Sequence, residues 1–228
     1  VAEGKRGRVR RVIPPGVWQT PGLATSSSGT EAPMETPKLY MLSISPSCQR
    51  VFATFANKGV EYETVEIDIS QAKRPEAFEK ISPFGKVPVL EHKGRVILES
   101  ANIIQYINDV WPEPPMMPAD PAGRAYARQW IQYADREIFD RDAQFVHIER
   151  DPQRKLQICA ALFDALRHLE RELEGKTSLF LGDDLSLVDC MLAPSLANAP
   201  VWSELTGDTK YATYSNIQAY TDRLRANP

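Results

Sequence analysis

Five prolines fall within ten residues, at Pro112, Pro114, Pro115, Pro118 and Pro121. Proline fixes φ and lacks an amide donor, so a stretch this dense in it supports neither helix nor sheet ladder. Upstream of it the apolar period switches between two and 3.6; downstream it is 3.6 throughout. Such a chain is expected to fold as a mixed α/β domain over 38–111, an irregular linker at 112–121, and an all-helical domain over 122–228. At 228 residues it is long enough for two small cores.

Within the first half, residues 38–45 read as a strand and 46–58 as a helix. Pro46 suits the first helical turn, where its missing N–H costs nothing. Val51, Phe52, Phe55 and Ala56 make an apolar stripe that also takes in Cys48, and Gly59 supplies the stop. Tyr62 to Asp68 reads as a second strand, and strand–helix–strand at this spacing predicts parallel pairing. A short helix or irregular turn covers 75–80. Residues 86–91 and 95–98 read as strands joined by a turn at His92-Lys93-Gly94. Ser100 is placed to cap a helix with Ile103, Ile104, Ile107 and Val110 on one face. The expected sheet is four-stranded and mixed, with three helices. In the second half, 122–146 and 153–174 read as long helices, and Gly175 ends the latter. Ser186 and Asp189 have capping-box spacing for a helix running to about Asn198, and a last helix covers 214–226.

Charge and composition exclude several classes. The net charge is −3, but residues 1–30 carry Lys5, Arg6, Arg8, Arg10 and Arg11 against Glu3, so the rest carries −7. The body therefore lacks the basic surplus that favours nucleic acid or anionic membrane. No apolar run approaches the length of a membrane span. Three well-separated cysteines, Cys48, Cys159 and Cys190, argue against a disulfide framework and for a reducing compartment, cytoplasm or organelle interior. No His/Cys spacing suggests a metal site. His92 is expected in a turn, and His147 and His168 are lone histidines. Residues 1–37 are rich in Arg, Pro, Gly, Ser and Thr without any period. They read as a flexible tail, as the remnant of a targeting segment, or as an arm that orders on a larger protein assembly. The chain starts on Val1, so either a segment has been removed or the numbering begins part-way in.

The chemistry concentrates at Ser45-Pro46-Ser47-Cys48-Gln49-Arg50, where strand gives way to helix. A hydroxyl or thiol there meets the positive end of a helix dipole, a place to hold a sulfur anion. Cys48 itself lies on the stripe that faces the core, so it reads as a structural cysteine before a redox nucleophile. Trp130, Tyr133, Phe145 and Trp202 likewise read as helix core before ligand pocket.

Three further motifs accompany the hexapeptide: Pro83-Phe84-Gly85-Lys86-Val87-Pro88-Val89-Leu90, Glu99-Ser100, and Phe180-Leu181-Gly182-Asp183 with Ser186 and Asp189. In this order and spacing they resemble the cytosolic glutathione transferase superfamily over about 38–228, with zeta, tau and omega classes nearest in pattern. That resemblance implies a thioredoxin-like domain followed by an all-helical domain, glutathione as co-substrate, a small hydrophobic electrophile as acceptor, and a homodimer. It implies that Ser45 donates a hydrogen bond to the glutathione sulfur, with Ser47 and Cys48 as alternates. It implies that Val87, before a cis Pro88, pairs with the cysteinyl backbone. Glu99 and Ser100 would hold the γ-glutamyl end, and Arg74 would take the place of a glutathione-contacting lysine. Pro112–Pro118 and Ser186–Pro194 also resemble stringent starvation protein A. That resemblance implies the alternative of a non-catalytic regulator or accessory subunit acting through protein contacts.

Overall fold

Four strands, β1 (Lys38–Met41), β2 (Glu63–Glu66), β3 (Val89–His92) and β4 (Arg95–Leu98), form one sheet in the order β2-β1-β3-β4. The computed structural model describes residues 35–68 and 74–227. The readings of residues 1–37 fall, but for the last three, outside this range, as does the His147 side chain. β1 and β2 run parallel, with Lys38 opposite Glu63 and Met41 opposite Glu66. β3 runs antiparallel to β1 and to β4. The sheet is thus the mixed one that strand–helix–strand followed by a hairpin dictates.

The hairpin corrects one expectation. His92 pairs with Arg95, so the loop is only Lys93-Gly94, both at positive φ (51° and 67°) as a two-residue hairpin requires. His92 belongs to β3 and is buried. Its ring bonds the Tyr106 hydroxyl (2.8 Å) and the Glu35 carbonyl (3.0 Å) and stacks on Trp111. Its polar appearance in the sequence hid a core histidine whose two nitrogens are both partnered.

Helix α1 (Pro46–Lys58) follows β1 after a tight turn in which the Ser45 amide donates to the Leu42 carbonyl. That turn ends the strand at Met41, four residues earlier than expected. Gly59 closes α1 at φ 63°, the left-handed stop. α2 (Glu76–Ile81) covers one sheet face, where Tyr40, Ile67, Phe78 and Val89 form a small core. On the other face Leu39 and Leu90 meet α1 and α3 (Ser100–Val110). That core continues without a break into the helical half, so both halves share one apolar interior.

The helical half opens with α4 (Pro121–Tyr133), which Asp120 caps through the Gly123 amide. The expected single helix is continuous in course but changes pitch. α4 passes into a π-helical segment (Ala134–Phe139), a turn of α-helix α5 (Asp140–Ala143), and a second π-helical segment (Gln144–Ile148). α6 (Pro152–Glu172), α7 (Leu187–Thr206) and α8 (Ser215–Ala226) complete the bundle. α7 runs well past the expected end at Asn198, through Pro194 and Pro200. Its side chains are buried without a break from Leu187 to Leu192, and again at Pro194, Ser195, Leu196, Ala199 and Trp202, and that packing outweighs the two missing amides. α1 and α7 pack directly against each other, which sets the first half on the second.

Candidate functional site

The start of α1 is the centre of the site. Ser45 occupies the N-cap with extended backbone (φ −74°, ψ 124°), and its carbonyl accepts from the Cys48 and Gln49 amides. Its hydroxyl does not cap the helix. Instead Ser45 Oγ lies 2.8 Å from Ser47 Oγ, and Ser47 Oγ donates to the Val87 carbonyl at 3.1 Å. Both serines are half-buried. The Val87–Pro88 bond is cis, and Pro88 is buried beneath it. The structure therefore brings Ser45, Ser47, Val87 and Pro88 to one place.

Glu99 and Ser100 form the second part. Glu99, not Ser100, is the N-cap of α3, and it sits at φ 67° with its side chain exposed. That conformation is costly for a residue with a side chain and is found at functional sites. Ser100 is buried and is the first residue of the helix. Its hydroxyl does not cap but accepts from Arg50 Nη1 at 3.2 Å.

Arg50 is the residue whose role could not be read from its own surroundings. Its side chain is fully buried. Nη1 also bonds Asp135 Oδ1 at 2.6 Å, and the guanidinium lies 3.8 Å over the Phe139 ring. Burial pulls its pKa down, while Asp135, Asp140 and Asp142 push it back. The one signal was its fixed place four residues after Pro46; its partner lies 85 residues away on a π-helical segment. Asp140, on the same stretch, has its carboxyl raised by burial and by Asp135.

The remaining candidates separate. Cys48 is fully buried, and its sulfur accepts the Leu42 amide at 3.5 Å. Burial pushes its thiol up to about 11, against smaller opposing effects of the Leu42 amide and the Ser45 and Ser47 hydroxyls. Its burial and raised thiol fit the reading of a structural cysteine. Arg74 is half-buried, with its guanidinium laid across Gly85, two residues before Val87. Gly85 sits at φ 60°, and a Cβ there would run into that guanidinium. Trp130, Phe145 and Trp202 are buried core; Trp202 Nε1 donates to Asp142 at 2.8 Å. Tyr133 is half-buried and donates to the Ala165 carbonyl. His168 stacks on Trp130. Ile44, by contrast, is 76% exposed immediately before Ser45. Among the described residues no cluster of His, Cys, Asp and Glu is placed to hold a metal ion, and no helix is long and apolar enough to cross a membrane.

A thioredoxin-like sheet that presents a hydroxyl and a cis-proline edge at one end, backed by an all-helical half, defines a two-domain class of thiol-handling proteins. The chain belongs within it to the glutathione S-transferase family. The family's N-terminal domain model matches residues 39–115 and its C-terminal domain model matches 125–223. A probable glutathione S-transferase, parA, from Nicotiana tabacum is 34% identical over 71% of this chain and 73% of its own length. Among solved structures, rice GST1 in complex with glutathione superposes with a TM-score of 0.72 at 28% identity, covering 84% of this chain and 87% of that one. Glutathione transferase Omega 3C from Trametes versicolor gives 0.73 at 29%, covering 85% and 86%.

Proposed function

We propose that this protein is a catalytic glutathione transferase that binds glutathione across Ser45, Val87, Glu99 and Ser100 and transfers it to a small hydrophobic electrophile. The observation that carries the reading is the Ser45 hydroxyl. It stands at the N-terminus of a thirteen-residue helix, is not used to cap it, and faces the Val87 edge through Ser47. The names of the relatives and solved structures favour this reading over that of an accessory subunit.

Each residue has a task in the reaction. The Val87 N–H and C=O pair with the cysteinyl backbone of glutathione, as a strand edge receives an extended peptide. Glu99 takes the α-amino group. Ser100 and the first amides of α3 take the α-carboxylate, with the Arg50 charge behind them. Arg74 covers the loop before Val87 and serves the same ligand. Ser45 donates to the sulfur, and together with the helix dipole it favours thiolate over thiol. This lowers the thiol pKa from about 8.5 toward neutral. The sulfur lone pair then forms the S–C bond to the electrophile as the leaving group departs with its electron pair. Ile44 supplies an apolar wall for that acceptor. A homodimer through the helical stretch at 122–146 and the first domain, in a reducing compartment that suits three free cysteines, belongs to the same reading.

The test is retention on immobilised glutathione with elution by free glutathione, followed by conjugation assays on Ser45→Ala. Binding with conjugation that depends on Ser45 is expected. No retention at millimolar glutathione would overturn the reading.

A further inference from the structure

Proton counting around Ser47 points to a second residue in thiol activation. A serine hydroxyl has one proton to donate and two lone pairs. Ser47 Oγ is 3.1 Å from the Val87 carbonyl oxygen, which accepts only, so the Ser47 proton goes there. In the 2.8 Å contact between the two serines, Ser45 must then be the donor and Ser47 the acceptor. Without ligand the chain therefore runs Ser45 to Ser47 to Val87, and the Ser45 proton is directed at Ser47.

We propose that Ser47 is a positioning residue that couples docking of the glutathione backbone to release of the Ser45 proton. This rests on the proposed pairing of glutathione with Val87. The cysteinyl amide donates to the Val87 carbonyl and takes over the role of the Ser47 proton there. Ser47 rotates and donates to Ser45 Oγ. Ser45 turns its own proton to the sulfur. Two hydrogen bonds in the free state become three in the bound state, and each serine keeps one proton throughout. The S–H bond breaks, its electron pair stays on sulfur and its proton goes to water; no other covalent bond changes. A donor to Ser45 Oγ polarises its O–H, so the bond to the thiolate is stronger than that from an isolated serine. The device makes activation conditional on the peptide backbone, and a bare thiol that leaves Val87 unpaired does not trigger it.

The charged and titratable groups facing this region are Cys48 and Arg50 of α1, Glu66 of β2, Lys86 before Val87, and Asp135 and Asp140 of the helical half. All are unchanged in the variants below, so differences among them report the hydroxyls.

The experiment is a double-mutant cycle read by the ultraviolet absorbance of the bound thiolate against pH, with glutathione binding measured by calorimetry in parallel. The full chain is used as wild type, Ser47→Ala, Ser47→Thr, Ser45→Ala and the Ser45→Ala/Ser47→Ala pair. Losing one cooperative hydrogen bond predicts that Ser47→Ala raises the bound thiol's pKa by about half to one unit. Ser47→Thr, which keeps the hydroxyl, restores the wild-type value. In the Ser45→Ala background, removing Ser47 changes nothing further, because its effect passes through Ser45. A pKa that is unchanged or lowered in Ser47→Ala while glutathione still binds overturns the relay and leaves the proposed function standing. So does an equal shift in both backgrounds. Wild type that fails to bind glutathione, or binds it without lowering its thiol pKa, overturns the proposed function and the relay with it.

Discussion

Among the described residues, two helices begin with a serine at the N-cap, and the two serines do opposite work. At the start of α7, Ser186 accepts from the Asp189 amide while Asp189 accepts from the Ser186 amide, a complete capping box. At the start of α1, Ser45 caps nothing with its side chain. The first cluster is sealed. Asp189 is fully buried, and its two oxygens receive the Phe180 amide (3.0 Å), the Ser186 amide (2.8 Å), the Ser186 hydroxyl (2.5 Å) and the Tyr220 hydroxyl (2.6 Å). The second is half-buried, consists of neutral hydroxyls, and ends on the Val87 carbonyl in the loop before β3. A polar group whose bonding capacity is filled internally holds the fold. One with capacity to spare is available to a ligand.

The largest break in this comparison is Asp189→Ala. It strands buried donors from the 180 segment, α7 and α8, so stability falls by about 4 kcal/mol in chemical unfolding. Any residual folded protein keeps its affinity for glutathione.

Ser45→Ala should show the reverse pattern. Conjugation falls about 100-fold with stability within about 0.5 kcal/mol of wild type, because the residue supports developing charge and not the helix. A stability loss as large as that of Ser186→Ala would erase the distinction between the two serines.

Ser186→Ala itself should cost about 1 kcal/mol in stability and leave conjugation unchanged.

The smallest effect belongs to Cys48. Its thiol is pushed up to about 11 by burial, above the value of an unfolded chain. The folded state therefore holds the proton more tightly. The stabilisation is complete below the ordinary thiol pKa and is lost as pH rises toward 11. In the native protein at pH 7.5, iodoacetamide should leave Cys48 unmodified by mass spectrometry, and labelling should appear on unfolding. Fast native labelling would move the chemistry from oxygen to sulfur.

Much of this was readable from the chain because it was local. Pro46 and Gly59 bracket α1, the spacing of Ser186 and Asp189 marks the start of α7, and the proline cluster separates the two halves. The unreadable features were long-range. Nothing near Arg50 shows that Asp135 and Phe139 receive it, since they lie on a π-helical stretch in the other half. Ser100 looked like a cap because caps are what serines before apolar runs do. The strained turn at Glu99 moved the cap back one residue and turned the Ser100 hydroxyl toward Arg50. The helix was expected to end near Asn198 because propensity is local, while the burial of Ala199 and Trp202 that carries α7 onward is not. The bond from Ser47 to the Val87 carbonyl spans forty residues of chain and joins two motifs that the sequence shows only separately.

The most direct test of the central claim, that Ser45 is left uncapped to hold a sulfur anion, is a crystal structure of the glutathione complex. The account predicts the sulfur at about 3 Å from Ser45 Oγ, the hydrogen-bond range to a thiolate, with the cysteinyl amide on the Val87 carbonyl. Sulfur bound instead in a disulfide with Cys48, or glutathione seated away from Val87 and Ser100, would contradict it.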